Sequence, residues 1–61
     1  MRTYRIAIRM DTNAFTEDEG EEVARILHHL AEDCEDEGIA TDAMLHDANG
    51  KLIGTAKRSL E

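Results

Sequence analysis

The stretch HDANGKLIG, residues 46–54, decides how this chain folds back on itself. Asp47 can accept hydrogen bonds from the backbone that follows it, and Ala48-Asn49 suit the centre of a type I turn. Gly50 suits the positive φ of the bulge that often follows such a turn in a hairpin. The stretch therefore predicts a β-hairpin. The predicted pairs across it are Asp47 with Lys51, Leu45 with Ile53, and Ala43 with Thr55.

The same stretch can be compared with a calcium-binding loop, because Asp47, Asn49 and Gly50 are residues that such loops contain. Counted from Asp47, the fifth and twelfth positions of an EF-hand loop need oxygen ligands, the twelfth a bidentate carboxylate. Lys51 and Arg58 occupy these positions. Two cations in place of two ligands exclude a calcium loop of this kind, so the turn is the better interpretation.

Upstream of the hairpin, residues 17–37 have the pattern of one long amphipathic helix. Thr16 and Glu19 match a capping box, and Gly38 suits the left-handed position that follows a helix. Apolar residues recur with helical spacing along one face, at Val23, Ile26, Leu27, Leu30 and Cys34.

The N-terminal segment, residues 3–10, alternates strictly between apolar and polar side chains. This period of two is typical of a strand with one buried face. Tyr4, Ile6, Ile8 and Met10 form the apolar face. The predicted fold is α+β with the order β-α-β-β, in which a single long amphipathic helix covers one face of a three-stranded sheet. We expect the third strand at the centre, because every neighbour is then antiparallel.

With 61 residues, the chain has room for one domain and only a marginal core. The domain is assigned to residues 1–59, and residues 60–61 are set aside as a tag remnant because Leu-Glu commonly begins a vector-derived tag. Small domains need a stabilising device, and the single Cys34 cannot form an internal disulfide. We therefore expect a homodimer. It would bury the sheet face that the helix leaves open, or a sheet edge.

The chain begins without the apolar run of a signal peptide, and no stretch approaches the length of a membrane span. A lone cysteine is typical of a reducing compartment. The sequence therefore predicts a cytoplasmic protein with no membrane partner.

Charge is distributed unevenly along the chain. Residues 17–37 contain ten acids and one arginine, a charge of −9, whereas the whole chain carries −7, which leaves +2 elsewhere. An acidic helix face is most simply a solvated face, but it also suits docking of a basic host or phage protein. The residues assigned to this partner-binding face are Glu22, His29, Glu32, Asp33 and Asp36.

The alternative is nucleic-acid binding through cations on the sheet. Arg5, Arg9, Lys57 and Arg58 would contact phosphates there, as in β-ribbon DNA-binding proteins. A net charge of −7 opposes such binding at long range, and no aromatic side chains lie among the cations to stack on bases. The acidic-face interpretation is therefore preferred.

The sequence offers no basis for an enzyme, a cofactor or a metal site. His28 and His29 are adjacent and point about 100° apart on a helix, so they do not chelate one ion easily. Cys34 lies on the apolar stripe, which is typical of a core residue. Neither a C-x-x-C nor an H-E-x-x-H motif is present.

Two motifs resemble a group of small proteins encoded on bacteriophages and plasmids. That group shares a Phe before an E-x-A-R-I-L-x-x-L-A helix and ends in an L-x-D-x-N-G-x-x-I/V-G hairpin. Here the Phe is Phe15, and the motifs are EVARILHHLA (residues 22–31) and LHDANGKLIG (residues 45–54). The resemblance implies a mobile-element origin and brings no established activity or catalytic residues. We expect Arg25 of the first motif to pair with Glu21.

Overall fold

The computed structural model describes residues 1–39 and 42–60, with backbone only for residue 60. The predicted α+β fold is confirmed, with one additional short 3₁₀ helix. The elements are strand β1 (Arg2–Ile8), the 3₁₀ helix (Asn13–Phe15), helix α1 (Glu19–Glu37), strand β2 (Asp42–His46) and strand β3 (Leu52–Leu60).

The sheet is antiparallel with the strand order β1-β3-β2, which confirms the central position predicted for the third strand. On one side of β3, Ile6 lies opposite Ala56 and Arg2 lies opposite Leu60. Because Leu60 belongs to this ladder, the sheet extends one residue past the domain boundary drawn from the sequence.

Helix α1 begins later than predicted, and its cap is a different residue. The side chain of Asp18 accepts a hydrogen bond from the Glu21 amide at 3.0 Å, so Asp18 is the N-cap. The Thr16 amide instead donates to the Asn13 carbonyl at 3.1 Å and closes the 3₁₀ turn. The predicted capping box is therefore wrong. The predicted C-terminal glycine is confirmed, since Gly38 has a φ of 82°.

The core lies between α1 and one face of the sheet. Its buried side chains come from the 3₁₀ helix, α1, β2 and β3, namely Phe15, Ile26, Leu30, Leu45, Ile53 and Ala56, and β1 adds the partly buried Tyr4 and Ile8. Phe15 reaches this core from the 3₁₀ helix, and it is 3% exposed. The helix therefore covers one sheet face only, as the sequence predicts.

The hairpin turn is confirmed. The Gly50 amide donates to the Asp47 carbonyl at 3.0 Å, the Asp47 amide donates to the Lys51 carbonyl at 2.9 Å, and Gly50 has a φ of 82°. These features define a four-residue turn, residues 47–50, whose last residue is a glycine in the left-handed region.

Beyond the turn, the predicted register is wrong by one residue. Leu45 lies opposite Gly54 rather than Ile53, and Thr55 lies opposite Met44 rather than Ala43. The cause is a β-bulge in which Ile53 is an extra residue on β3.

The bulge decides which side chains the core receives. It allows both Ile53 and Ala56 to face the helix, where they are 1% and 0% exposed. The predicted register pairs Leu45 with Ile53 and Ala43 with Thr55, which would place Ala56 on the other hairpin face with Met44, His46 and Leu52, and for Ala56 this is wrong. Met44 and Leu52 do lie on the open face and are 70% and 50% exposed.

Candidate functional site

The Asp47 carboxylate anchors the hairpin turn to the segment before the helix. One oxygen accepts from the amides of Asn49 and Lys51, both at 2.9 Å. The other accepts from the hydroxyl of Thr12 at 2.7 Å, and the Asp47 residue is 4% exposed. Both oxygens already face hydrogen-bond donors, which is a further argument for a structural turn over a cation loop.

Glu22 belongs to the same network and not to an exposed acidic face. It is 7% exposed, and its carboxylate accepts from both Nε and a terminal nitrogen of Arg25, at 3.0 and 2.8 Å. It also accepts from the Ala48 amide in the hairpin turn at 2.9 Å. The expected pairing of Arg25 with Glu21 is therefore wrong, and Glu22 is not available to a partner.

Arg25 completes the link between helix and hairpin. Its terminal nitrogen also donates to the carbonyl oxygen of His46 at 3.3 Å. The two sequence motifs thus contact each other through Glu22 and Arg25 on one side and His46 and Ala48 on the other. The sequence contains one signal for part of this network: the i,i+3 spacing of Glu22 and Arg25 favours an ion pair between them. Nothing in it indicates that Thr12 contacts Asp47.

The network lowers the pKa of both carboxyl groups. Hydrogen bonds from Arg25 are the main cause of the lowered pKa of Glu22, with the Ala48 amide adding to them against the effect of burial. For Asp47, the Thr12 hydroxyl and then the Lys51 amide hold the pKa below its ordinary value. Both groups therefore favour the ionised form in the folded protein.

This arrangement predicts acid sensitivity. A carboxyl whose pKa is lower in the folded than in the unfolded chain contributes stability above its ordinary pKa, and that stability is lost as the pH falls through the folded pKa. The ordinary values are 4.5 for Glu22 and 3.8 for Asp47, so the loss begins near pH 4.5 and deepens below 3.8. We expect the urea midpoint of the wild type to fall in this range.

A Glu22→Gln/Asp47→Asn variant is the control for the acid effect. Protonation of the exposed helix acids relieves repulsion in both proteins, so that contribution cancels in the comparison. The double variant should be less stable at pH 7 but should lose less stability between pH 5 and pH 3. If the stability of the two proteins fell by the same amount between pH 5 and pH 3, this network would not titrate as described.

The other four residues assigned to the acidic face are exposed, as predicted. They are His29, Glu32, Asp33 and Asp36. His29 and Asp33 line a groove of about 250 Å³ between α1 and β2. The opposite wall includes Met44 and His46 of β2. The structure therefore brings part of the predicted face together with a strand that the sequence did not assign to it.

The four cations predicted to share the sheet do not share one face. Arg5 lies directly opposite Lys57 on the open face, and Lys57 has Asp42 on its other side. Arg58 lies opposite Tyr4, which packs against the core, so Arg58 is on the helix-covered side. Grouping Arg58 with Arg5, Arg9 and Lys57 is therefore wrong.

The open face also carries a shallow apolar depression of about 350 Å³. Its lining residues come from the facing ends of β1 and β3 and include Ala7, Leu52 and Thr55. Among the described residues that line it, the one charged side chain is that of Arg9.

Cys34 packs against the core, as predicted, and contacts Tyr4. Burial is the main cause that raises the pKa of Tyr4, and the neighbouring Cys34 raises it further, first through its charge. Within residues 1–39 and 42–60, His, Cys, Asp and Glu side chains form no group of three that could hold a metal ion.

None of the helices in the described part of the chain is long and apolar enough to span a membrane. No protein-family model, curated protein or solved structure matches this chain.

Proposed function

We propose that the protein is a small non-enzymatic interaction module of mobile-element origin, acting as a homodimer that binds a basic segment of a host or phage protein through its acidic helix face. The observation that carries the proposal is the groove between α1 and β2, lined by His29 and Asp33. The motif resemblance supports the origin, and the lone Cys34 supports a cytoplasmic location.

Electrostatics favours a basic partner at this groove. Asp33 and Asp36 are three residues apart and Glu32 adjoins them, so three exposed carboxylates lie within about one turn of the helix. The one arginine of the helix, Arg25, is already paired with Glu22. The three carboxylates thus retain a negative field that attracts Lys and Arg side chains within the Debye length of about 8 Å at physiological salt.

The groove also provides apolar contact for the stem of such a side chain. Ala43 of β2 and Leu30 of α1, which both pack in or against the core, line it. Lys and Arg side chains pack their methylenes against apolar surface while the charged end remains with a carboxylate. A partly apolar groove with Asp33 in its lining, and with Glu32 and Asp36 near Asp33 on the helix, is therefore suited to a basic peptide more than to a small free cation.

Charge reversal at the groove tests this proposal. A fluorescein-labelled ten-residue peptide of alternating Lys and Ser should bind the wild type at low salt and dissociate as salt is added. A Glu32→Lys/Asp33→Lys/Asp36→Lys variant should bind at least about tenfold more weakly, a loss of roughly 1.4 kcal/mol. Fluorescence anisotropy measures both effects.

The matched control reverses three exposed acids elsewhere, in an Asp11→Lys/Glu17→Lys/Glu21→Lys variant. Each triple substitution adds six charges and takes the chain from −7 to −1, so a purely global charge effect would weaken both equally. The proposal requires the groove variant to lose clearly more affinity than this control. If both variants lost the same affinity for the peptide, the acidic face would be a solvated surface and not a binding site.

Nucleic-acid binding remains the second candidate because Arg5, Arg9 and Lys57 lie on the sheet face that the acidic helix does not cover. A labelled 20-base-pair duplex in the same salt titration decides between the two functions. Binding to duplex that is lost in an Arg5→Ser/Arg9→Ser variant would replace the acidic-face proposal. The absence of binding at low ionic strength would remove this candidate.

A further inference from the structure

Strand β1 is an edge strand whose outer backbone groups face away from the sheet. The Arg9 amide donates to the Ile53 carbonyl of β3 at 2.7 Å. Backbone N–H and C=O groups alternate in direction along an antiparallel strand. Those of the odd-numbered residues of β1 therefore point toward β3, and those of Tyr4, Ile6 and Ile8 point away from the sheet. Such a row of donors and acceptors is a template for another strand.

The other edge of the sheet is less suited to pairing. Strand β2 has five residues against seven in β1. Its outward-facing carbonyl at His46 already accepts a hydrogen bond from Arg25. The guanidinium thus blocks one end of the β2 edge, and β1 is the more accessible of the two.

Apolar side chains lie beside the β1 edge on the helix side of the sheet. Ile6 faces that side, since it lies opposite the buried Ala56, yet it is 42% exposed. Leu27 is 40% exposed and lies two helical turns before Cys34, which contacts Tyr4 of β1. The surface that flanks the edge is therefore apolar.

From Gly20 to Ala31 the helix flank above this edge carries no acids, and the first acid that follows along it is Glu35. Residues at i, i+4, i+7 and i+11 lie along this flank, and all four are exposed. They are Gly20, Ala24, Leu27 and Ala31. A second copy approaching along β1 therefore meets an uncharged helix surface despite the net charge of −7.

We propose that two copies of the chain pair through β1, antiparallel about a twofold axis at Ile6, to form a continuous six-stranded sheet. In this register Ile6 lies opposite its own copy, and Tyr4 lies opposite Ile8 of the other copy. The exposed Ile6 and Leu27 of both copies then come together on the helix side of the joined sheet.

Charge selects this register over its neighbours. An axis at Arg5 would place two Arg5 side chains directly opposite each other, and an axis at Ala7 would place Arg5 opposite Arg9. Like charges directly opposite each other across strands are destabilising. The axis at Ile6 places Arg5 opposite Ala7 and Arg9 opposite Thr3, so no two cations meet.

The edge also explains dimer formation better than the open sheet face does. A face-to-face dimer would bring the Arg5, Arg9 and Lys57 cations of both copies into one interface with six like charges. This inference deepens the homodimer part of the proposed function and does not involve the acidic groove. Loss of the dimer and loss of peptide binding are therefore separate results.

Sedimentation equilibrium from about 1 to 300 μM protein tests the inference, with a dimer expected for the wild type. Ile6→Pro should abolish the dimer, because proline removes an amide that points away from the sheet and leaves the β1–β3 hydrogen bonds in place. Met44→Pro is the matched control, since Met44 has the equivalent outward position on β2 and should leave the dimer intact. A wild type that is monomeric throughout, or a dimer that survives Ile6→Pro, overturns the inference.

Cysteine cross-linking tests the register. In a Cys34→Ala background, Ile6→Cys should form an intermolecular disulfide rapidly, because paired Cα atoms about 5.5 Å apart suit that bond. Arg5→Cys and Ala7→Cys should cross-link much more slowly, since each lies two positions out of register with its own copy. Preferential cross-linking at either of these positions would overturn the Ile6 axis. Circular dichroism and retained peptide binding would show that each variant is folded.

Discussion

A Gly54→Ala variant is expected to lose on the order of 3 kcal/mol of stability through overpacking, the largest effect of any single methyl group in this chain. A Cβ at this position would clash with the carbonyl oxygen of Ala7 and would lie 3.1 Å from the Cα of Ile8. Both obstacles are backbone atoms, so no side chain can move to relieve the clash. Strand β1 would have to move away from β3.

The consequence is severe because the domain is small. A core in a chain of this size supplies only about 3–5 kcal/mol of net stability, so only about 0–2 kcal/mol would remain and up to about half of the variant would be unfolded at room temperature. Circular dichroism and urea unfolding measure the loss. Amide exchange should show the first loss of protection in β1 and the facing residues of β3.

Gly20→Ala is the matched control for this substitution. Its Cβ would meet only the side-chain oxygen of Asp18, at 3.5 Å, and Gly20 lies within α1. Alanine should leave the stability unchanged or raise it by up to about 1 kcal/mol, because it has the higher helix propensity. If Gly54→Ala were as stable as Gly20→Ala, β1 would not approach β3 as closely as described.

Local features of this fold were predictable because their causes lie within a few residues. Asp47 and Gly50 define the turn by their own conformational preferences, and Gly38 ends the helix for the same reason. The alternation in β1 and the 3.6-residue period in α1 follow from which side chains the core requires. The central position of β3 was predictable for a different reason, since it makes every pair of neighbouring strands antiparallel.

Features set by contacts between distant elements were not predictable. The bulge at Ile53 arises because Ile53 and Ala56 must both reach the core, a requirement visible only once the helix is in place. The buried position of Glu22 depends on the Ala48 amide, 26 residues away. Glu22 therefore looks, in the sequence, like any other acid of an acidic helix.

Because Glu22 is buried in this network, Glu22→Ala is expected to cause the second large loss of stability. The substitution removes the acceptor of the Ala48 amide and the partner of Arg25 in one step. Hydrogen bonds to charged groups contribute about 1.5–3 kcal/mol each, but the Arg25 side chain is 38% exposed, so its share is reduced by solvent. We expect a loss of about 2–3 kcal/mol and a fall in Tm of roughly 10–20 °C.

Glu21→Ala is the control that separates this network from the general acidity of the helix. Glu21 has the same side chain, adjoins Glu22 in the first turn and is exposed. Removing it costs the helix one favourable interaction with its dipole, worth about 0.3–1 kcal/mol. Thermal unfolding of both variants should therefore show a much larger fall in Tm for Glu22→Ala than for Glu21→Ala. Equal losses would mean that Glu22 contributes only as a helix acid and does not connect α1 to the hairpin.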